Sequence, residues 1–214
     1  MNGHGALGRV RVIRHVIAAG RRHSVAVCAD GTVITAGIPT AVECRVRGWR
    51  DVVAVAAGNV HTAANTGRSH TVGLRADGTV VAAGWNGARQ CDVDGWRDVV
   101  GIAAGWRRTL AVLGNGVVLA AGRTAEGACD VAAWREIVAV AGGDWHSLGV
   151  SADGTVVAAG NNGRGQCQVG TWRNVRTAAA GSLHSVALGA GCRKRGCGPR
   201  RYNPMARHRR HRRR

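Results

Sequence analysis

The sequence predicts an all-β fold: a β-propeller of blade repeats about 38 residues long, forming an incomplete ring of about 4.5 blades. Two observations predict it. The first is periodicity. A Trp-Arg pair opens a unit at Trp49, Trp96, Trp134 and Trp172. A Gly-x-x-His/Arg step follows at His23, His61, Arg108, His146 and His184, then an Asp/Asn-Gly turn at Asp30, Asp77, Asn115 and Asp153. An Ala-Gly pair closes each unit's last strand at Gly37, Gly84, Gly122 and Gly160. Self-similarity at this period marks a repeat architecture. The second is composition: 33 Gly, no Phe, one Tyr, and apolar residues that are mostly Ala and Val. Short Val-rich runs between Gly turns read as thin, closely packed strands.

Each unit supplies three strand candidates. The run Val52 to Ala57 is small and continuous, as in a strand buried on both faces. The run His70 to Ala76 follows, and an Asp-Gly turn leads into Thr79 to Ala83. Asp-Gly between two β-prone runs predicts a type I′ hairpin. The polar stretch from Trp85 to Val93 is expected to hold a short fourth strand and a connecting loop.

In chain order, residues 1–10 carry no landmark, 11–191 hold the repeats, and 192–214 form a basic tail expected to be disordered. The units run from Arg11 to Gly48, Trp49 to Gly95, Trp96 to Ala133, Trp134 to Thr171, and from Trp172 until the pattern ends at Leu188. One unit is 47 residues long because Ala54–Thr62 is followed by a near copy, Ala63–Thr71, in which His70 duplicates His61. A lengthened surface connection costs little, since loop-closure entropy grows slowly with length.

These units resemble the bacterial form of the regulator-of-chromosome-condensation repeat. The resemblance is carried by Val52-Val-Ala-Val-Ala-Ala-Gly58, by His70 through Gly84, and by Asn161-Asn-Gly-Arg-Gly-Gln-Cys167. It covers about residues 11–190. The WD repeat fits less well, because no Trp-Asp pair ends a strand. The resemblance implies a propeller, usually of seven blades, that recognises proteins through its blade loops. Eukaryotic members act as exchange factors on a small nuclear GTPase and bind chromatin, and a similar bacterial propeller inhibits β-lactamases. No residue set for either role is matched here. An open arc would leave apolar blade faces uncovered, which points to self-association that completes the ring.

The formal charge is +18, but residues 192–214 hold 11 of the 30 Lys and Arg and none of the 12 acids. The tail could hold nucleic acid electrostatically, which makes a chromatin- or nucleic-acid-associated protein the alternative function. A truncated or frameshifted fragment without function is a further alternative, since the tail begins where the next Asp-Gly hairpin is due. No apolar run spans a membrane and no signal core begins the chain, so a cytoplasmic location is expected.

Residues that recur once per blade are expected to be structural. This covers the histidines, the Asp of each Asp-Gly, and Cys44, Cys91, Cys129 and Cys167. The cysteines form no CxxC pair and are expected as free thiols without metal. No nucleophile elbow, phosphate loop, paired acid or metal cluster is visible, so no enzymatic activity, cofactor or metal is expected. Departures from the repeat are the candidates for partner binding: Trp85, Asn86, Trp106, Arg107, Arg108 and Trp145. Trp and Arg are enriched in binding hot spots. The expected function is a non-enzymatic scaffold for protein–protein interaction, its partner unknown.

Overall fold

The computed structural model describes residues 15–58 and 68–189. The tail, the whole of residues 1–10, His61 and most of the nine-residue duplication lie outside them. The described chain is all-β apart from one 3-10 turn, Val42–Cys44. Four three-stranded antiparallel meanders follow one another. They are β1 (Ile17–Ala19), β2 (His23–Val27) and β3 (Val33–Gly37), then β4 (Val52–Gly58), β5 (His70–Arg75) and β6 (Val80–Gly84). Next come β7 (Val99–Gly105), β8 (Arg108–Leu113) and β9 (Val118–Gly122), then β10 (Ile137–Gly142), β11 (His146–Ser151) and β12 (Val156–Gly160). A two-stranded sheet, β13 (Val175–Ala180) with β14 (Ser185–Gly189), makes a fifth blade. The first strands of consecutive blades pack side by side, so the blades fan out from a shared inner edge.

Between consecutive blades lies a thin core. Val72 and Leu74 of the second blade are fully buried with Ile102 and Ala111 of the third. Leu110 and Val112 meet Trp134 and Ile137, and Leu148 and Val150 meet Val175. Burying a Leu or Val in this way contributes about 2 kcal/mol each. The Trp of the Trp-Arg pair belongs to this packing: the Trp49 ring lies so close to Gly73, and the Trp134 ring to Gly149, that a Cβ there would come within 2.8 Å of it. The equivalent rows at the two ends of the described arc are uncovered. Ile17 and Ile34 in the first blade, and Val186 and Leu188 in the fifth, are all more than half exposed.

Two local expectations need correction. The Asp-Gly hairpin forms, but not as a type I′ turn. Only the glycine takes positive φ (Gly78, +80°; Gly154, +81°), while type I′ requires it of both central residues. Gly78 N–H donates to Arg75 O, and Arg75 N–H to Thr79 O, closing a three-residue loop with Gly in the left-handed position. The Asp instead works through its carboxylate: Asp77 Oδ1 accepts from Thr79 N–H (2.9 Å) and Thr79 Oγ1 (2.7 Å). These bonds hold the Asp77 carboxyl below its usual pKa.

The second correction concerns the polar stretch after each third strand. It forms no fourth strand in the described residues. It runs instead as successive turns, Arg89 N–H to Asn86 O, Asp92 N–H to Arg89 O, and Trp96 N–H to Val93 O. Val93 and Gln90 plug inward from it and are fully buried. Gln90 Oε1 accepts from Ala88 N–H, so the buried amide fixes the turn that a strand would have had to straighten.

Candidate functional site

The Gly-x-x-His landmark places a polar clasp at one end of each blade. Gly58, His70 and Gly84 are cross-strand neighbours in the second blade, as Gly105, Arg108 and Gly122 are in the third. The structure therefore puts His70, not His61, at the repeat position, because β4 pairs directly with His70 and the extra residues lie between the two strands. Glycine is required opposite the ring, since a Cβ on Gly58 would lie 2.1 Å from His70 Cε1.

Each clasp reaches into the following blade. His23 Nε2 meets Thr71 Oγ1 at 2.8 Å, His70 Nε2 meets Thr109 Oγ1 at 3.1 Å, and His146 Nε2 meets Ser185 Oγ at 2.8 Å. Those hydroxyls donate their single proton to Glu43 O, Gln90 O and Gln166 O, each at 2.7 Å. The hydroxyl must therefore accept from the imidazole, which fixes the Nε2–H tautomer. The second ring nitrogen, Nδ1, makes no hydrogen bond in any of the three. A charged imidazole would bury an unmatched N–H there. Burial accordingly lowers His23 and pushes His70 and His146 down to about 4.

Arg108 is the same clasp made with a different side chain. It is fully buried, and its Nε–H donates to Ser147 Oγ at 3.0 Å while that hydroxyl donates to Ala128 O. Arginine is a pure donor, as the clasp requires. Its remaining N–H groups reach Asp144 O (3.2 Å), Gly143 O (2.6 Å) and His146 O. Burial lowers its pKa to about 10. Of the expected binding residues, Arg108 is thus directed into the neighbouring blade and away from the surface. Asn86 is exposed but occupied locally, with Oδ1 accepting from Cys91 N–H and Nδ2 donating to Asp92. Asn162 holds Cys167 N–H in the same way, which marks this as a repeat feature.

The other four converge. They lie at the end of the blades that carries the clasps, on the turns after β6 and before β8 and β11. The Arg107 guanidinium carbon stands 5.0 Å from the Trp85 ring centroid and 4.7 Å from that of Trp106. Trp106 and Trp145 meet with centroids 4.4 Å apart and planes tilted by 59°. Two residues that the sequence reading passed over complete the ladder. Arg68 lies 5.3 Å from Trp85, and Arg123 5.2 Å from Trp106. A signal for both was present: Arg68 precedes its clasp by two residues, as Trp106 does, and Arg123 follows its closing Gly, as Trp85 does. Neither stands beside a tryptophan in the sequence. Arg107 sits at φ +57°, a strained conformation for a non-glycine residue that Arg22, Ser69, Trp145 and Leu183 avoid at the same repeat position. Beyond Trp145 a shallow depression of about 320 Å³ is lined by Asn161, Gly163, Arg164 and Leu183.

No group of three metal-ligating side chains occurs among the described residues, and none of their helices is long and apolar enough to cross a membrane. Cys28, Cys44, Cys91, Cys129 and Cys167 are free thiols. Burial, then Asp92 and Asp94, push Cys91 up to about 12. The thiolate is the reactive form, so Cys91 is expected to resist iodoacetamide at pH 8 in the folded protein and to react at the rate of an ordinary thiol after unfolding. Rapid labelling in the native state, followed by peptide mass spectrometry, would contradict this.

Residues 137–166 match the family model of the regulator of chromosome condensation (RCC1) repeat. A sequence comparison with curated proteins finds no match. Solved propellers share the fold. Prp20p of Saccharomyces cerevisiae, studied for its binding to Gsp1p and histones, superposes with TM-score 0.61 at 19% identity, covering 80% of this chain and 54% of its own. The ectodomain of the Arabidopsis thaliana receptor kinase ACR4 gives 0.61 at 18% identity (82% and 59% covered). Human WBSCR16 gives 0.61 at 19% (83% and 60% covered). The chain therefore spans a little over half the length of the solved propellers it matches.

Proposed function

We propose that this chain, which carries a regulator-of-chromosome-condensation repeat in its fourth blade and the same landmarks in the others, is a non-enzymatic scaffold. It binds a protein partner through the loop face of its second to fourth blades. One observation carries the reading. The blade frame is held at positions that recur, Arg108 included, whereas departures at other positions gather into one patch of Arg68, Trp85, Trp106, Arg107, Arg123 and Trp145. Apart from the buried Trp106 none of them belongs to the buried core between the blades, and their chemistry is that of interface hot spots. The yeast propeller Prp20, described with Gsp1p and histones and in a second structure bound to Kap60, supports protein binding as the kind of function. The nucleic-acid alternative rests on the tail, which lies outside the described residues.

Quantitative affinity capture tests the proposal, with the full chain immobilised and Arg68→Glu/Arg123→Glu compared with Arg50→Glu/Arg97→Glu at the opposite end of the blades. A saturable protein ligand is expected that the first pair weakens about tenfold or more and the second hardly affects. Equal losses from both pairs, or no saturable ligand, would overturn it.

A further inference from the structure

We infer that the loop face takes an acidic peptide segment, with carboxylates held by Arg68, Arg107 and Arg123 and an apolar side chain seated in the depression between Trp145 and Leu183. The inference rests on the scaffold reading and adds the chemistry of the partner.

The aromatic rings themselves are already engaged. Trp106 is 8% exposed, and its ring is attended by Arg107, Arg123 and Trp145. Trp85 has Arg68 and Arg107 over its ring. What the patch offers a ligand is therefore the edges of the guanidinium groups, which donate N–H bonds in a fork matched to carboxylate oxygens. The indoles hold those groups in place beforehand, which lowers the ordering cost of binding.

Positive charge at the patch exceeds negative charge. Of the three arginines, Arg123 alone has a carboxylate partner among the described residues, Glu126 at 2.5 Å. The Arg107 Nε is buried without a hydrogen-bond partner. Burial lowers the Arg107 pKa, and the like charges of Arg68 and Arg123 lower it further. An anion that enters relieves that repulsion.

The surroundings favour a peptide over a phosphodiester chain. Glu126 sits on Arg123, and Asp144 directly precedes Trp145. Acids interleaved at this spacing repel a continuous polyanion, which carries a charge at every nucleotide, but leave room for discrete carboxylates. Trp85 and Trp106 already carry guanidinium groups over their rings, where base stacking would need an open face. The neighbouring depression of about 320 Å³, with Leu183 47% exposed at its rim, suits an apolar side chain beside the acidic ones.

The test is fluorescence anisotropy of the full chain with a labelled 15-residue peptide (about this length) in which Glu alternates with Leu and Tyr. The comparison ligands are the same peptide with Gln for Glu and a single-stranded oligo-dT of equal length. The protein variants are Arg68→Gln/Arg107→Gln/Arg123→Gln and, with the same charge change in the tail, Arg209→Gln/Arg210→Gln/Arg212→Gln. The Glu peptide is expected to bind saturably, to lose about tenfold or more in the loop-face variant, and to change less than about twofold in the tail variant. The Gln peptide is expected to bind at least about tenfold more weakly. Should the triple variant unfold at a lower temperature, the exposed Arg68→Gln alone carries the comparison, with a loss of about threefold expected. Equal weakening by the loop-face and tail variants would overturn the inference in favour of net charge. Tighter oligo-dT binding that depends on the loop-face arginines would overturn it in favour of nucleic acid. A captured protein partner that needs the loop face, together with a Glu peptide that does not bind, would overturn the acidic chemistry and leave the scaffold standing.

Discussion

Replacing Arg108 with alanine is expected to destabilise the protein by about 3 kcal/mol, and replacing it with histidine by no more than about 1 kcal/mol. Alanine leaves a cavity where a fully buried side chain stood and strips Ser147 Oγ of its donor. Histidine restores the clasp that the other blades use, an Nε2–H aimed at the following blade's hydroxyl. Two of the three carbonyls that Arg108 abandons keep other donors. Gly143 O still accepts from Trp106 N–H, and His146 O from Gly143 N–H. Histidine also removes a buried charge that has no carboxylate partner among the described residues, which offsets part of the lost bonding. Urea unfolding followed by Trp fluorescence measures both variants. A histidine variant as unstable as the alanine one would show that Arg108 is not acting as a clasp.

Stability is expected to fall steeply as pH is lowered from about 6.5 to about 4. The imidazoles of His70 and His146 are pushed down to about 4 in the folded chain and return to about 6.5 on unfolding. Within that window the unfolded state binds protons that the folded state refuses, so protonation pulls the equilibrium toward unfolding as pH falls. Above the window both states are neutral and the effect vanishes. Each histidine contributes a slope of up to about 1.4 kcal/mol per pH unit. The urea midpoint is expected to be constant from pH 7 to 8 and markedly lower at pH 5, with about half the slope removed in His146→Gln. A midpoint that does not move between pH 7.5 and 5 would contradict the Nε2–H clasp.

Much of the frame was legible because each landmark serves a local purpose that repeats. Gly58 recurs because an imidazole occupies the space of its Cβ, and Gly78 because the hairpin needs one left-handed residue. Strand order followed from the period alone. The turn type was missed because Asp-Gly fits two loops, and the Asp77 carboxylate bonds to Thr79 that choose between them are set by the next residue rather than by the pair. The fourth strand was missed because a polar stretch hides its plug: Gln90 is buried only when its amide closes the turn. His61 and His70 could not be ranked from sequence, since the duplicated segments are alike and only the pairing with Gly58 separates them. At the site, sequence flagged the tryptophans and Arg107. It placed Arg108 beside them because arginine departs from the histidine of the other repeats, whereas successive residues at the start of a strand point to opposite sides and Arg108 keeps the clasp's inward direction. Arg68 and Arg123 become visible only when blades are compared position by position.

Side chains at the recurring clasp position build the frame, even where arginine replaces histidine there, whereas departures at other positions build the loop face. Arg107 and Arg108 are adjacent in sequence and fall on opposite sides of that division. The most direct test is the thermal unfolding midpoint of Arg107→Ala beside Arg108→Ala. A midpoint close to wild type is expected for Arg107→Ala and a fall of several degrees for Arg108→Ala. Equal falls, or a larger fall for Arg107→Ala, would contradict it.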